Sequence, residues 1–175
     1  MTTTLCTPRL TLRRWREDDL DAMAAINADP EVMRWIGDGS VQDREQTAAR
    51  IAVWERTWEE RGVGLFAVEC RDSGQLAGFA GLSVPLFLPE VLPAFEIGWR
   101  LGRPFWGHGL ATEAARTALD FALRERGLAR IVSISAAGNT ASQRVMRKLG
   151  MRPERDTVHP EFGTPLRVHV LETRP

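Results

Sequence analysis

The chain has 175 residues, enough for one domain with a substantial core, and its apolar (43%) and charged (26%) fractions are those of an ordinary globular protein. Lys+Arg and Asp+Glu number 23 each, so no net field draws it to nucleic acid or to an acidic membrane. Cys6 and Cys70 lie far apart with no Cys-x-x-Cys and no nearby His pair, which argues against a metal site or a disulfide framework.

The opening, MTTTLCTPRL, lacks a basic start followed by an apolar stretch, so it carries no signal-peptide pattern. No apolar run approaches the roughly 20 residues that cross a bilayer, and the expected location is the cytoplasm. Residues 9–15, RLTLRRW, alternate Leu10 and Leu12 with charged neighbours, the period-two pattern of a half-buried strand. Asp18 and Asp19 open a helix carrying Leu20, Met23, Ala24 and Ile26, and Asp29-Pro30 starts a shorter one through Met33 and Ile36. GDGS (37–40) is a loop. From Val41 to Arg61 the residues Ala48, Ile51, Trp54 and Trp58 recur at helical spacing, Gly62 ends the helix, and the two tryptophans read as core.

LFAVECR (65–71) and QLAGFAGLSV (75–84) flank Asp72-Ser73-Gly74, strong hairpin punctuation. A proline-broken apolar stretch, PLFLPEVLP (85–93), precedes the strand AFEIGWRL (94–101). A glycine turn leads into a helix to about Arg126, followed by the strand RIVSISA (130–136). Asn139 to Leu149 reads as a helix stopped by Gly150, and two late strands fall around 151–158 and 166–171. No repeat, low-complexity segment or linker divides the chain, so 1–175 is expected to be a single α+β domain.

The glycine turn, PFWGHGLATEAARTAL (104–119), places Gly107 and Gly109 directly before a helix. A helix N-terminus leaves amides unpaired and carries roughly half a positive charge, and glycine lets an oxyanion approach the backbone. Thr112, in the first turn, can add a hydroxyl donor. A nucleotide-triphosphatase loop needs a lysine that this stretch lacks. A dinucleotide loop needs a third glycine where Thr112 stands, and an acid after the next strand, where Ala136-Ala137-Gly138-Asn139 stands. A turn that merely caps the helix is the bland alternative.

The residues Trp106-Gly107-His108-Gly109-Leu110-Ala111 resemble the acyl-CoA loop of the GNAT N-acetyltransferases. Phe95-Glu96-Ile97-Gly98-Trp99 upstream, and Asn139-Thr140-Ala141-Ser142 with Lys148-Leu149-Gly150-Met151 downstream, are similar to the branch of ribosomal-protein-alanine N-acetyltransferases (RimJ/RimL-like). Thr7-Pro8-Arg9-Leu10-Thr11-Leu12-Arg13 fits that branch's first strand. The likeness runs in order along essentially the whole chain; Trp106 departs from the Gln or Arg common at that position. It implies a mixed, mostly antiparallel sheet of about seven strands, splayed at an acyl-CoA cleft and flanked by about five helices.

The resemblance implies acetyl-CoA as acyl donor and direct attack by a primary amine, with no metal. Pantetheine would lie between strands 94–101 and 130–136. Backbone amides at Trp99, Arg100 and Leu101 would face the thioester as oxyanion donors, and Trp106, Gly107, His108, Gly109, Leu110, Ala111 and Thr112 would hold the pyrophosphate. Asn139 would bind the pantetheine arm. Gly98, inside an apolar strand, fits either a close ligand approach or an ordinary bulge. Glu96, an acid in that strand, is a candidate general base; alternatively it faces solvent or pairs with Arg100. An α-amine near pKa ~8 needs only modest base help, unlike a lysine amine near ~10.4.

The family's tyrosine acid has no counterpart, because the chain contains no tyrosine. Ser142 is the substitute that the resemblance implies, while the local alternative makes Asn139 a helix N-cap and Ser142 a first-turn residue. Arg144, Arg147 and Lys148 either reach a coenzyme A phosphate or form a solvated face. His108 is expected to face solvent, and His159 and His169 fall where the acceptor enters. Met33, Trp35 and Phe87, with Glu96, are candidate acceptor-pocket residues, joined by Phe162; Glu31, Asp38 and Asp43 are candidate amine attractors. The segment 85–93 either lines that pocket or packs on a second copy in a homodimer. The acceptor is expected to be a small-molecule amine or a protein N-terminus. The alternative function is a catalytically idle acyl-CoA-binding or regulatory module on the same fold.

Overall fold

The alternating stretches form one eight-stranded sheet in a computed structural model that describes residues 3–173, so the first two and last two residues of the expected 1–175 domain lie outside the described range. The strands are β1 (Leu5–Cys6), β2 (Leu10–Arg13), β3 (Leu65–Cys70), β4 (Leu76–Ser83), β5 (Phe95–Leu101), β6 (Arg130–Ala136), β7 (Arg152–Val158) and β8 (Pro165–Glu172). The α-helices are α1 (Leu20–Asn27), α2 (Pro30–Met33), α3 (Arg44–Arg61), α4 (Leu110–Arg124) and α5 (Thr140–Lys148). Spatial order is β1-β2-β3-β4-β5-β6-β8-β7, and β5–β6 is the parallel pair in an otherwise antiparallel sheet.

Eight strands replace the expected seven because β1, two residues pairing Leu5 with Leu12, is too short to show alternation. α2 stops at Met33 instead of reaching Ile36, since the chain turns at Gly37 and Gly39, both in left-handed backbone. α3 begins at Arg44 rather than Val41. Asp43 accepts the Gln46 amide at 2.8 Å and the Gln46 side chain returns to the Asp43 amide, a reciprocal cap that fixes the start.

One face of the sheet is covered by α4, whose Ala114, Ala115, Ala118 and Ala122 are fully buried. Those small side chains let the helix lie close on β4 and β5. The other face packs Trp15, Met23, Ile26 and Phe79 beneath α1 and α3. Trp54 and Trp58 divide: Trp58 belongs to the main core, while Trp54 packs only partly and lines a cavity. In the 85–93 segment, Leu88 and Val91 pack with Val132, Val168 and Val170, leaving Leu86 and Phe87 exposed.

The feature that positions the site is the unequal pairing of β5. Against β4 it pairs from Ser83↔Glu96 to Gly78↔Leu101, yet against β6 only at Phe95↔Ile131 and Glu96↔Val132. Beyond Glu96 the two parallel strands part.

Candidate active site

Parted strands leave backbone groups without ladder partners. The Gly102 amide donates to Ala77 on β4 at 2.9 Å, so alternation turns the backbone of Leu101 and Trp99 away from β4 and into the gap. There the Leu101 carbonyl accepts from Trp106 Nε1 at 2.7 Å, and the Ile97 carbonyl accepts from Ser133 Oγ at 2.9 Å. The Trp99 amide and carbonyl have no β6 partner. Two cavities meet at this gap, one of about 760 Å³ on the α3 side and one of about 520 Å³ toward the start of α4. Trp35, Ile36, Trp99, Arg100, Asn139 and Ser142 line both.

The α4-side cavity ends at the glycine turn. Gly107 and Gly109 have φ of +76° and +75°, a conformation that costs any other residue strain. Gly109 is the N-cap of α4 and no side chain caps the helix, so the Leu110, Ala111 and Thr112 amides have no intrahelical acceptor. Leu110 itself is core, so this position offers its amide and not its side chain. Unpartnered amides at a positive helix end fit an anionic group such as a pyrophosphate. Trp106 lines this wall, as do Arg144 and Lys148; His108 is exposed and lines neither cavity.

A brace behind the turn has no signature in the sequence. Arg9 Nη1 donates to the His108 carbonyl at 2.8 Å while its Nε donates to Glu113 at 2.7 Å. The Thr7 hydroxyl also donates to Glu113, at 2.5 Å. Burial alone raises the Glu113 carboxyl, but the hydrogen bonds from Thr7 and Arg9 outweigh it and the net shift is downward. Local pattern carries no hint of a contact spanning about a hundred residues.

On the α3 side, β5 alternation puts Ile97 and Leu101 in the core under α4 and Glu96, Gly98 and Arg100 on the opposite face. The Glu96 carboxyl lines the larger cavity, with Ser83 Oγ at 3.5 Å. Burial pushes it up to about 7, against a smaller downward pull from the Ile134 amide and the Ser83 hydroxyl. A carboxyl poised there can take a proton near neutral pH. It does not pair with Arg100, whose Nη1 donates to Asn27 Oδ1 on α1 at 2.7 Å. Gly98 leaves an open floor between them, with nothing within 4 Å of where a Cβ would stand.

Asn139 caps α5, its Oδ1 accepting the Ser142 amide at 3.2 Å, and both residues still line the gap, so cap and cleft roles coexist. Trp35 is 39% exposed, packs on Gly138 and closes over both cavities. Phe87 stacks on His159 with ring centroids 5.0 Å apart, and Phe162 lies against the other side at 4.5 Å. His159 Nδ1 accepts from the Glu161 and Phe162 amides at 3.2 and 3.3 Å, which ties that nitrogen to its own loop.

Several expectations are corrected. Met33, expected as a pocket wall, is 1% exposed and lines neither cavity, because the short α2 turns it inward. Asp43 is the α3 cap, Asp38 accepts the Ser40 amide, and Glu31 lies on the α4-side wall, so none of the three faces the larger cavity. His169 is buried beneath α5, where burial, together with Arg147 and Arg167, holds its imidazole below the usual histidine range. Among the described residues no cluster of His, Cys, Asp or Glu is arranged to hold a metal, and no helix is long and apolar enough to cross a membrane.

The family described as "Acetyltransferase (GNAT) domain" matches residues 9–152. YkkB of Bacillus subtilis (strain 168), an uncharacterized protein, is 33% identical over 150 residues, 85% of each chain. The crystal structure of an acetyltransferase from Agrobacterium tumefaciens str. C58 superposes with a TM-score of 0.82 at 27% identity, covering 98% of this chain and 95% of that one. RimL, a ribosomal alpha-N-protein acetyltransferase solved in complex with coenzyme A, superposes with a TM-score of 0.82 at 16% identity over 97% and 98% of the chains, a likeness of fold. A splayed β5–β6 pair, an uncapped glycine-led helix and a family match over most of the chain converge: this chain belongs to the GNAT acetyltransferases.

Proposed function

We propose that the protein transfers an acetyl group from acetyl-CoA to a primary amine, on a small molecule or a protein N-terminus. The carrying observation is the meeting of two unlike cavities at the β5–β6 gap, one ending in unpartnered helix amides and the other in a carboxyl near neutrality. The coenzyme A bound by RimL, a protein of the same fold, supports assigning the α4-side cavity to the donor.

Acetyl-CoA supplies an activated thioester. The Gly107–Thr112 backbone, with Trp106 beside it, holds the pyrophosphate; His108 contributes through its backbone alone. The amides of Trp99 and Leu101 turn into the gap and donate to the thioester oxygen as it gains charge. The Arg100 amide, expected with them, turns toward β4 by the same alternation, and its side chain lies on the face of Glu96 while lining both cavities. Asn139 offers its amide nitrogen to the donor's arm while its oxygen caps α5. Glu96 takes the proton from the attacking amine, directly or through water, and Ser142 returns a proton to the departing thiolate. Trp35 and Phe87 wall the acceptor.

The test is thiol release from acetyl-CoA across a panel of primary amines, with product mass as the second readout. Acetylated product for at least one class of amine, formed at a rate proportional to enzyme, is the expected result. Tight coenzyme A binding without release above background for every amine overturns the reading.

A further inference from the structure

The larger cavity contains a cationic pair without a counterion. Arg100 touches an amide oxygen of Asn27 and the face of Phe79, 5.1 Å from its centroid, and its buried Nε has no hydrogen-bond partner. Arg50 on α3 lines the same cavity and not the α4-side one. It forms no ion pair among the described residues, and its helix neighbours at three and four positions are Gln46, Thr47, Val53 and Trp54, none of them acidic. Elsewhere the buried and half-buried arginines have carboxylates: Arg13 meets Asp19 and Glu69, Arg14 meets Glu55, and Arg130 meets Glu154 and Glu172. Both line the larger cavity, Arg50 from an exposed position on α3 and Arg100 from a half-buried one on β5. Burial first, and Arg50 second, lower Arg100 to about 10. The charge of Arg100, whose Nε is buried without a partner, is costly without an opposite one.

The other charged groups of this cavity lie elsewhere on its walls. Arg56, Glu60 and Arg61 line it farther along α3, Glu161 lies in the β7–β8 loop, and Glu96 stands on β5 itself. Glu96, Gly98 and Arg100 share one face, so the Cα atoms of Glu96 and Arg100 stand roughly 13 Å apart along the strand with a bare glycine floor between.

We propose that Arg50 and Arg100 form an anion subsite for the acceptor, which is a primary amine carrying a carboxylate several bonds away, its amine at Glu96 and its carboxylate at the arginine pair. An α-amino acid, whose two groups are adjacent, cannot reach both ends. The subsite rests on the acetyl-transfer reading for its reaction but has its own recognition chemistry. Arg50 sets it apart from the donor's phosphates, which belong to the glycine turn, because Arg50 lines only the larger cavity, whereas Arg100 stands at the gap and lines both.

The experiment compares kcat/KM for 6-aminohexanoate with that for 6-aminohexanamide at saturating acetyl-CoA. The carboxylate is expected to be preferred by about tenfold or more, as hydrogen bonds to charged groups warrant. Arg50→Gln collapses the preference mainly through the acceptor KM, whereas Arg44→Gln, on the same helix but outside the cavity, leaves the ratio in place. Equal use of both acceptors, or an equal loss for both in Arg50→Gln, overturns the subsite while leaving acetyl transfer standing. If no amine is acetylated, the acetyl-transfer reading falls and calorimetry of 6-aminohexanoate against the CoA-bound protein decides the subsite. Binding weakened by Arg50→Gln then supports it; absent or unaffected binding removes it.

Discussion

The two ends of the cleft are made of different material. At the start of α4 the surface is backbone: two glycines in left-handed conformation, three amides without intrahelical acceptors, and a leucine whose side chain is buried elsewhere. At the acceptor end the surface is side chains contributed by separate segments, with Trp54 and Arg50 from α3, Phe87 from the 85–93 segment, Glu96 and Arg100 from β5, and His159 and Phe162 from the β7–β8 loop. A backbone site reads one chemical feature, an anion, and tolerates little change. A side-chain site is set residue by residue and can differ between relatives that share the fold. On the proposed function, the family is therefore visible at one end of the cleft and the choice of acceptor belongs to the other.

Replacing Glu96 strikes the acceptor end hardest. Glu96→Gln keeps shape and removes the base, and kcat/KM should fall about a hundredfold at pH 7, within the range of general-base contributions. Native activity should rise with pH through about 7 as Glu96 ionises, while the variant retains only the limb set by the amine's own titration. Stability moves the opposite way. Burial raises Glu96 in the folded chain, so the fold binds an extra proton between the ordinary carboxyl value of 4.5 and about 7 and loses stability as pH rises across that window. Thermal or urea melts at pH 8 should find Glu96→Gln at least as stable as the native protein. A slow variant that is also unstable at pH 8 would make Glu96 a structural residue.

The donor end is broken by conformation. A Cβ at Gly109 meets only Arg9 Nη2, at 3.7 Å, so Gly109→Val is penalised by its φ and not by crowding. β-Branched residues in left-handed backbone cost about 1–3 kcal/mol, and relief of that strain shifts the amides. Coenzyme A affinity should weaken about tenfold in calorimetry, with the preference among acceptors retained. Unaltered affinity would mean that no anion contacts the Gly109 backbone.

That division of material also explains what was legible beforehand. Alternation marked Leu10 and Leu12, Asp72-Ser73-Gly74 marked the β3–β4 hairpin, and Gly62 marked the end of α3, because each is a local demand of the backbone. Gly107 and Gly109 were legible for the same reason. Met33 was misplaced because α2 ends a turn early, and which side a four-residue helix presents depends on packing and not on spacing. The resemblance puts the amides of Trp99, Arg100 and Leu101 together, but alternation along β5 turns the middle one toward β4 and leaves only its side chain at the gap. Arg50 has no local signature on its polar helix, and only the fold brings it to the same cavity as Arg100.

Arg9 tests the comparison most gently, because it is a side chain that serves the backbone end. Its guanidinium ties the His108 carbonyl to Glu113, so it holds the glycine turn from behind without lining either cavity. The side chain is half exposed, and solvent-screened pairs of this kind contribute about 0.2–1 kcal/mol. Arg9→Met retains the aliphatic stem and should weaken coenzyme A by about two- to fivefold, with the acceptor KM unmoved at saturating donor. Arg9→Lys should recover little, since a single ammonium cannot hold both acceptors in the fork geometry. If Arg9→Met instead lowers stability and leaves donor affinity alone, the brace fastens the N-terminal segment to α4 and the turn keeps its shape through its glycines alone.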